Sequence, residues 1–214
     1  MRIIEEHSLN KLAVPFLIAG GVLAIFFYFI KLLIGSLVFL LFICFIFYFF
    51  RDPKREITAK DNQIISPADG KIVGIEEYEK DGQNYLRISI FLSIFDVHIN
   101  RAPLRGLIKD VQYKRGKFYA AFNQLATGQN EQNVIFIENE HGNIILKQIA
   151  GILARRILFW KQTGDTIITG EKIGMIILGS RTELEFPAKI TLQVKVKDKV
   201  HAGISILGVW NEEN

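Results

Sequence analysis

The sequence predicts a mainly β domain with small helical inserts, preceded by an N-terminal transmembrane helical hairpin. Two observations carry this expectation. Residues 13 to 50 hold a single charge, Lys31, in an otherwise almost wholly apolar stretch. From about Ile64 onward, short runs alternate apolar and polar residues, the period-two pattern of half-buried strands, with turn signals between them. The 214 residues suffice for one sizeable domain plus an appendage.

The apolar stretch comes first. As one straight helix it would run to roughly 57 Å at 1.5 Å per residue. A hydrocarbon core is only about 30 Å thick, so the stretch divides into two spans that turn near Lys31, with Gly35 close by. Arg2 and Lys11 precede the pair, and Arg51, Lys54 and Arg55 follow it. Basic residues favour the cytoplasmic side, which puts both ends and the rest of the chain there, at the cell (inner) membrane. A cleaved secretory signal fits poorly, because the stretch is too long and no small-residue cleavage site follows it. The expected division is therefore a membrane-anchoring hairpin over 1–50 and a second domain over 51–214. Pro53 disfavours helix at Asp52, so the chain should leave the anchor extended.

Strands are expected at Lys71–Glu77, Tyr85–Ser93, Leu107–Tyr113, Val134–Glu138, Ile144–Gln148, Lys172–Leu178, Ile190–Val196 and Ile204–Val209. Turns are expected at Ala68-Asp-Gly70, Lys80-Asp-Gly82, Glu140-His-Gly142 and Thr163-Gly-Asp165. Ile149–Phe159 reads as a short helix or an irregular connection. Ser66-Pro-Ala-Asp-Gly-Lys-Ile-Val73 and the run Gly164–Met175 resemble strand-turn units of barrel-sandwich hybrid domains, which makes the domain barrel-sandwich-like at the level of fold alone.

Composition excludes several functions. The net charge is +4, and of 26 basic and 22 acidic residues the first fifty hold three and two, so the remainder is a mixed surface. No basic run is interleaved with aromatics, so no nucleic acid is expected as a partner. The single cysteine, Cys44, lies in the second apolar span, which leaves neither a disulfide framework nor a thiol metal site, and no metal is expected.

The most informative dipeptide is Gly179-Ser180, within the run Gly174–Pro187. A serine after a flexible glycine can attack the carbonyl before it, since glycine has no Cβ to block the approach and tolerates the strained backbone. A serine hydroxyl needs a base, and histidine serves near neutral pH. A carboxylate on the far ring nitrogen fixes the tautomer. Asp69, His98 and Ser180 are residue types that supply these three roles.

Five blocks in order resemble the phosphatidylserine decarboxylase family, in its short form with Gly-Ser-Arg at the processing site. They are Phe49-Phe-Arg-Asp-Pro53 with Ser66-Pro-Ala-Asp-Gly70, then Phe91–Pro103, Asn130-Glu-Gln-Asn133, Gln148–Arg156 and Gly179-Ser180. The resemblance covers roughly residues 49 to 210. It implies self-cleavage between Gly179 and Ser180 into chains 1–179 and 180–214, and a pyruvoyl cofactor made from Ser180. It further implies decarboxylation of a membrane phospholipid, phosphatidylserine, to phosphatidylethanolamine through a Schiff base on that group, and a homodimer. The family's catalytic aspartate falls on Asp69 and its histidine on His98. Longer bacterial relatives carry a second histidine three residues later, where this chain has Arg101, so His98 is expected to serve both stages. His7, His141 and His201 read as structural or solvent-exposed. Arg101, Arg155, Arg156 and Arg181 are candidates for the lipid's phosphate or carboxylate. A membrane-tethered adaptor or a carrier without catalysis is the alternative; a carrier would need a modifiable lysine at a hairpin tip, commonly after methionine, and Met175 is followed by isoleucine.

Overall fold

The computed structural model describes residues 9–30, 32–117, 119, 126–151, 156–177 and 179–211. Two compact units follow one another, residues 4–53 and the remainder. In the first, α1 (Leu9–Phe29) and α2 (Leu33–Phe49) form a helical hairpin. Small residues let the two helices approach. A Cβ on Gly20 would meet Ile43 at 2.9 Å, and one on Gly35 would meet the Phe27 ring at 3.0 Å. Phe27 stacks on Phe39 with ring centroids 5.2 Å apart, and Ser36 Oγ donates to the Ala24 carbonyl at 3.3 Å. The turn falls between Ile30 and Leu32, as expected; Lys31 itself lies outside the described residues.

The expectation of two full membrane spans needs correction. Among the described residues, no helix is long and apolar enough to cross a membrane. At 17 residues, α2 reaches only roughly 26 Å at 1.5 Å per residue. Yet the hairpin exposes a band of large apolar side chains, among them Phe16, Ile18, Val22, Ile25, Leu40 and Leu41. From Arg51 to Lys60 the chain runs without regular structure, as Pro53 requires.

The second unit is mainly β. Its strands are β1 (Gln63–Ile65), β2 (Gly70–Lys80), β3 (Gln83–Leu92), β4 (Ile99–Arg101), β5 (Gly106–Lys114), β6 (Gln132–Asn139), β7 (Gly142–Ala150), β8 (Ile157–Phe159), β9 (Thr166–Ile167), β10 (Lys172–Ile176), β11 (Ser180–Pro187), β12 (Ile190–Leu192), β13 (Lys199–Val200) and β14 (Ile206–Trp210), with one helical turn, α3 (Ala126–Gln129), between β5 and β6. Eight strands form an antiparallel sheet in the order β13-β2-β3-β11-β7-β6-β5-β9, which curls into a half-barrel. Two three-stranded sheets, β1-β14-β12 and β4-β10-β8, complete the unit.

Alternation explains the large sheet. Leu86, Ile88, Ile90 and Leu92 of β3 point into one core with Leu184 and Phe186 of β11 and Ile144 and Leu146 of β7. Each such side chain, fully buried, stabilises the fold by about 1.5–3 kcal/mol. The β2–β3 hairpin closes on Asp81 and Gly82, both at positive φ, the backbone of a two-residue turn that matches strand twist. Gly70 is required by space: a Cβ there would lie 2.1 Å from the Phe91 carbonyl oxygen.

Three expectations shift. The stretch 149–159 contributes the ends of β7 and all of β8, and residues 152–155 lie outside the described residues. The strand expected over Ile190–Val196 closes after Leu192. β11, which sits centrally between β3 and β7, was not expected as a strand at all.

Candidate active site

Ser180 is the first residue of β11, paired with Leu92 on one side and Ala150 on the other. It is fully buried, and its Oγ has no hydrogen-bond partner among the described residues. A buried hydroxyl left without a partner costs free energy and persists where chemistry uses it. Gly179 before it has φ +63, the left-handed region, although a Cβ there would meet nothing within 4 Å. Glycine is needed here for conformation, not for space.

His98 is also fully buried and sits just before β4. Its Nδ1 lies 2.9 Å from the Asp96 carbonyl oxygen. A carbonyl only accepts, so Nδ1 carries the hydrogen and the neutral ring keeps its lone pair on Nε2. This is the tautomer of a base. The His98 carbonyl accepts from Ile176 N at 3.2 Å, and β4 pairs with β10. His98 is thereby fastened to the strand that runs directly into Gly179-Ser180.

Asp69, expected in the triad, has several partners of its own among the described residues. Its Oδ2 accepts from Arg55 Nη2 at 2.8 Å, with both side chains buried, and lies 3.4 Å from His201 Nδ1. Its Oδ1 accepts from Ala202 N at 2.8 Å. These bonds tie the carboxylate to the loop after β13, while the Asp96 carbonyl lies against His98 Nδ1. His201, expected as a structural or solvent-exposed residue, is half-exposed and partners Asp69.

The suggested arginines separate. Arg101 is buried and donates through Nη1 to the Gly170 carbonyl at 2.9 Å. Arg181 is 3% exposed, with Nε 3.0 Å from Glu183 Oε1. Both side chains are buried. Arg156 is exposed, and its carbonyl accepts from Ile177 N close to the processing site. Arg155 lies outside the described residues.

A buried amide network was missed by the sequence reading. Asn100 Nδ2 donates to Thr182 Oγ1 at 3.1 Å and to the Pro67 carbonyl at 3.3 Å. Gln148 Nε2 donates to Asn100 Oδ1 at 2.9 Å, and Asn133 Nδ2 donates to Gln148 Oε1 at 3.2 Å. Asn130 Nδ2 donates at 2.7 Å to the carbonyl of Ala150, the lateral neighbour of Ser180. These residues tie β4, β6, β7 and β11 together immediately beside the serine. The signal was present, since each falls in one of the family-like sequence blocks, but polar residues in strands read as solvent-facing.

The charges on the other face of β11 form a second cluster. Glu185 accepts from Arg87, Lys147 and Tyr78 within 2.7 Å. Burial raises its pKa, but the hydrogen bonds and charge of Lys147 and the bonds from Tyr78 and Arg87 outweigh it and hold the carboxyl below its ordinary range. Burial and the adjacent Glu185 push the Tyr78 hydroxyl well up.

The family model of phosphatidylserine decarboxylase matches residues 42–208. Relatives named "Phosphatidylserine decarboxylase proenzyme" align over most of their lengths. The protein of Carboxydothermus hydrogenoformans is 43% identical over 200 residues, covering 90% of this chain and 92% of its own. That of Desulfotalea psychrophila is 43% identical over 178 residues, 81% and 83% of the two chains. That of Solibacter usitatus is 45% identical over 163 residues, 76% and 78%.

Proposed function

The chain belongs to the phosphatidylserine decarboxylase family, and from that premise we propose that it cuts itself between Gly179 and Ser180 and then converts phosphatidylserine to phosphatidylethanolamine with loss of carbon dioxide. The observation that supports this most is the buried Ser180 Oγ, without a hydrogen-bond partner among the described residues, behind a left-handed glycine. His98 Nε2 takes the hydroxyl proton, and Oγ attacks the Gly179 carbonyl carbon. The peptide nitrogen leaves that carbon, and an ester replaces the amide. Loss of the Cα proton expels the Gly179 carboxylate and leaves dehydroalanine at position 180. Its imine tautomer takes up water and releases ammonia, so that the new chain begins with a pyruvoyl group.

The residues present fit such a group: the position is dry, begins a strand held on both sides, and has a base-tautomer histidine fastened to the segment before it. When formed, the pyruvoyl carbonyl supplies an electron sink for decarboxylation. The protein's share is positional. Asn100 and Gln148 hold Thr182 and the start of β11 in place. His98, protonated at Nε2, delivers a proton to the carbon that has lost carbon dioxide. The hairpin of residues 1–50 embeds in the membrane through its exposed apolar band, with the catalytic unit on the cytoplasmic side, next to its substrate. A homodimer belongs to the same reading and is checked by ultracentrifugation in detergent.

Intact-mass analysis of the purified protein tests the cut. Two chains are expected, and residues 180–214 should be lighter than their amino form because pyruvoyl replaces serine. An active protein that stays one chain would overturn the reading.

A further inference from the structure

The inner face of the large sheet changes character beside the reacting serine. Across β3, β11, β7 and β6 one row is wholly apolar: Ile88, Leu184, Leu146 and Ile135, all in the core. The next row on the same face, towards Ser180, carries Thr182, Gln148 and Asn133 on β11, β7 and β6, each fully buried. Apolar side chains of the same shape would fill that row at little or no loss of stability. Buried amides that are hydrogen-bonded fix one geometry instead. We propose that Asn100, supported by Gln148 and Asn133, is a positioning residue that sets the spacing of His98 and Ser180 through its bond to Thr182, an inference that rests on the self-cleavage proposed above.

Asn100 is a bridge between two strands that do not pair. β4 and β11 belong to different sheets, so no ladder between them sets their distance. Asn100 Nδ2 crosses from one to the other, to Thr182 Oγ1 at 3.1 Å. On β11, Thr182 stands two residues after Ser180 and on the same face. Asn100 in turn stands two residues after His98, whose carbonyl extends the β4–β10 pairing by accepting from Ile176 N at 3.2 Å. The same two-residue step back along each strand thus leads from the bridge to the reacting pair. β10 continues in that direction, since Ile176 precedes Ser180 by only four residues.

The bridge is held from its far side. Gln148 Nε2 donates to Asn100 Oδ1 at 2.9 Å, and Asn133 Nδ2 holds Gln148 Oε1 at 3.2 Å. Asn100 Nδ2 also donates to the Pro67 carbonyl at 3.3 Å. With its oxygen and its nitrogen both engaged, the Asn100 amide is locked against rotation. The fold leaves room for this arrangement. Gly174 pairs with Asn100 on β10, and a Cβ there would lie 2.8 Å from Gln148 Nε2. On cleavage Thr182 would pass to the smaller chain, while Asn100, Gln148 and Asn133 stay with the larger. The bridge then holds the new terminus against His98 as well.

Thr182→Val, which removes the acceptor and keeps the shape, tests the bridge in the full-length chain. Self-cleavage followed by gel over time should slow on the order of ten- to a hundred-fold, the effect of about 1 Å of misplacement. Thr182→Ser, which keeps the hydroxyl, should cut at the wild-type rate. The pH midpoint of cleavage should stay in place, because the Asp96 carbonyl still holds His98 Nδ1. Once cut, the valine variant should show a lower kcat on phosphatidylserine in detergent micelles, with KM unchanged. Asn100→Leu/Thr182→Val replaces both partners by apolar groups and so avoids the cost of one unpaired amide. It should cut as slowly as Thr182→Val, and it decides the matter if the single variant does not fold. A double variant with a wild-type urea midpoint and a wild-type cutting rate would reduce the network to packing and overturn the proposal. Wild-type cutting by Thr182→Val, or slow cutting by Thr182→Ser, would overturn it equally. A displaced pH midpoint would make the network a tuner of the base, and a raised KM with kcat intact would make Thr182 a substrate contact; either refutes the positioning role. A wild-type chain that stays whole fails the functional reading and this inference with it, whereas a wild type that cuts while the variants keep pace fails the bridge alone.

Discussion

In the proposed reaction Ser180 and His98 depend on backbone as much as on side chains. The Asp96 carbonyl accepts from His98 Nδ1 and so sets its tautomer. Asp69 instead holds two segments together. Its buried pair with Arg55 and its bond to Ala202 N fasten the segment after the hairpin to the loop after β13. Removing one partner of a buried pair costs about 3–5 kcal/mol. Asp69→Asn should therefore lower stability by about that amount, read from urea unfolding, while the folded fraction still cuts itself. Folded Asp69→Asn protein that stays uncut would return Asp69 to the triad. At Gly179 the cost is conformational. Gly179→Ala should be tolerated sterically but strained by about 1–2 kcal/mol in the left-handed region, and its cleavage, followed by gel over time, should slow. Ser180→Ala should fold and remain a single, inactive chain.

At the scale of the element, β11 shows what the sequence reveals and what it hides. The strands β2, β3, β5, β6 and β7 were legible because one face is apolar and the other polar. In β11, Thr182, Leu184 and Phe186 fill the core, but Arg181, Glu183 and Glu185 are buried as well. Charged residues at alternate positions read as a solvent-exposed connection; only tertiary pairing with Arg87 and Lys147 makes their burial tolerable. The same logic limited the site. Ser180, His98 and Gly179 were legible from residue type and order, whereas the bond from Asp96 and the Asn100–Gln148–Asn133 network depend on strand register. After the proposed cut at Gly179-Ser180, β11 would be the principal grip on residues 180–214, and the charge partners of Glu185, namely Arg87 and Lys147, would belong to the other chain. Because the folded pKa of Glu185 lies below its unfolded value, its stabilisation is complete above the unfolded value, about 4.3. It disappears as pH falls through the folded value. The cleaved pair should thus elute together at pH 7 and separate in acid, below about pH 4. Glu185→Gln should weaken the pair at pH 7 and flatten that acid dependence in size-exclusion runs.

On the scale of the whole molecule, an apolar hairpin precedes a β unit whose substrate is itself a membrane lipid. The sequence announced the hairpin through hydropathy alone, and the helices formed where expected. It overstated their reach, because chain given to the turn and to the exit at Phe50 shortens α2. The proposed sidedness rests on the flanking charges: Arg2 and Lys11 before the apolar stretch, Arg51, Lys54 and Arg55 after it, against Lys31 within it. On the proposed reading both flanks lie on the cytoplasmic face, and the β unit with them. The single cysteine provides the test. Cys44 lies within α2, and the bilayer should shield it from a membrane-impermeant maleimide even once the inner membrane is opened. Cys44→Ser combined with Glu140→Cys moves the thiol to the exposed turn between β6 and β7. That thiol should stay unlabelled in intact cells and label fully once the inner membrane is opened. Labelling of Glu140→Cys from outside would put the β unit on the opposite face and remove the argument from basic flanks. Labelling of Cys44 once the inner membrane is opened would show that the hairpin's apolar band faces water, and the anchor would have to be abandoned.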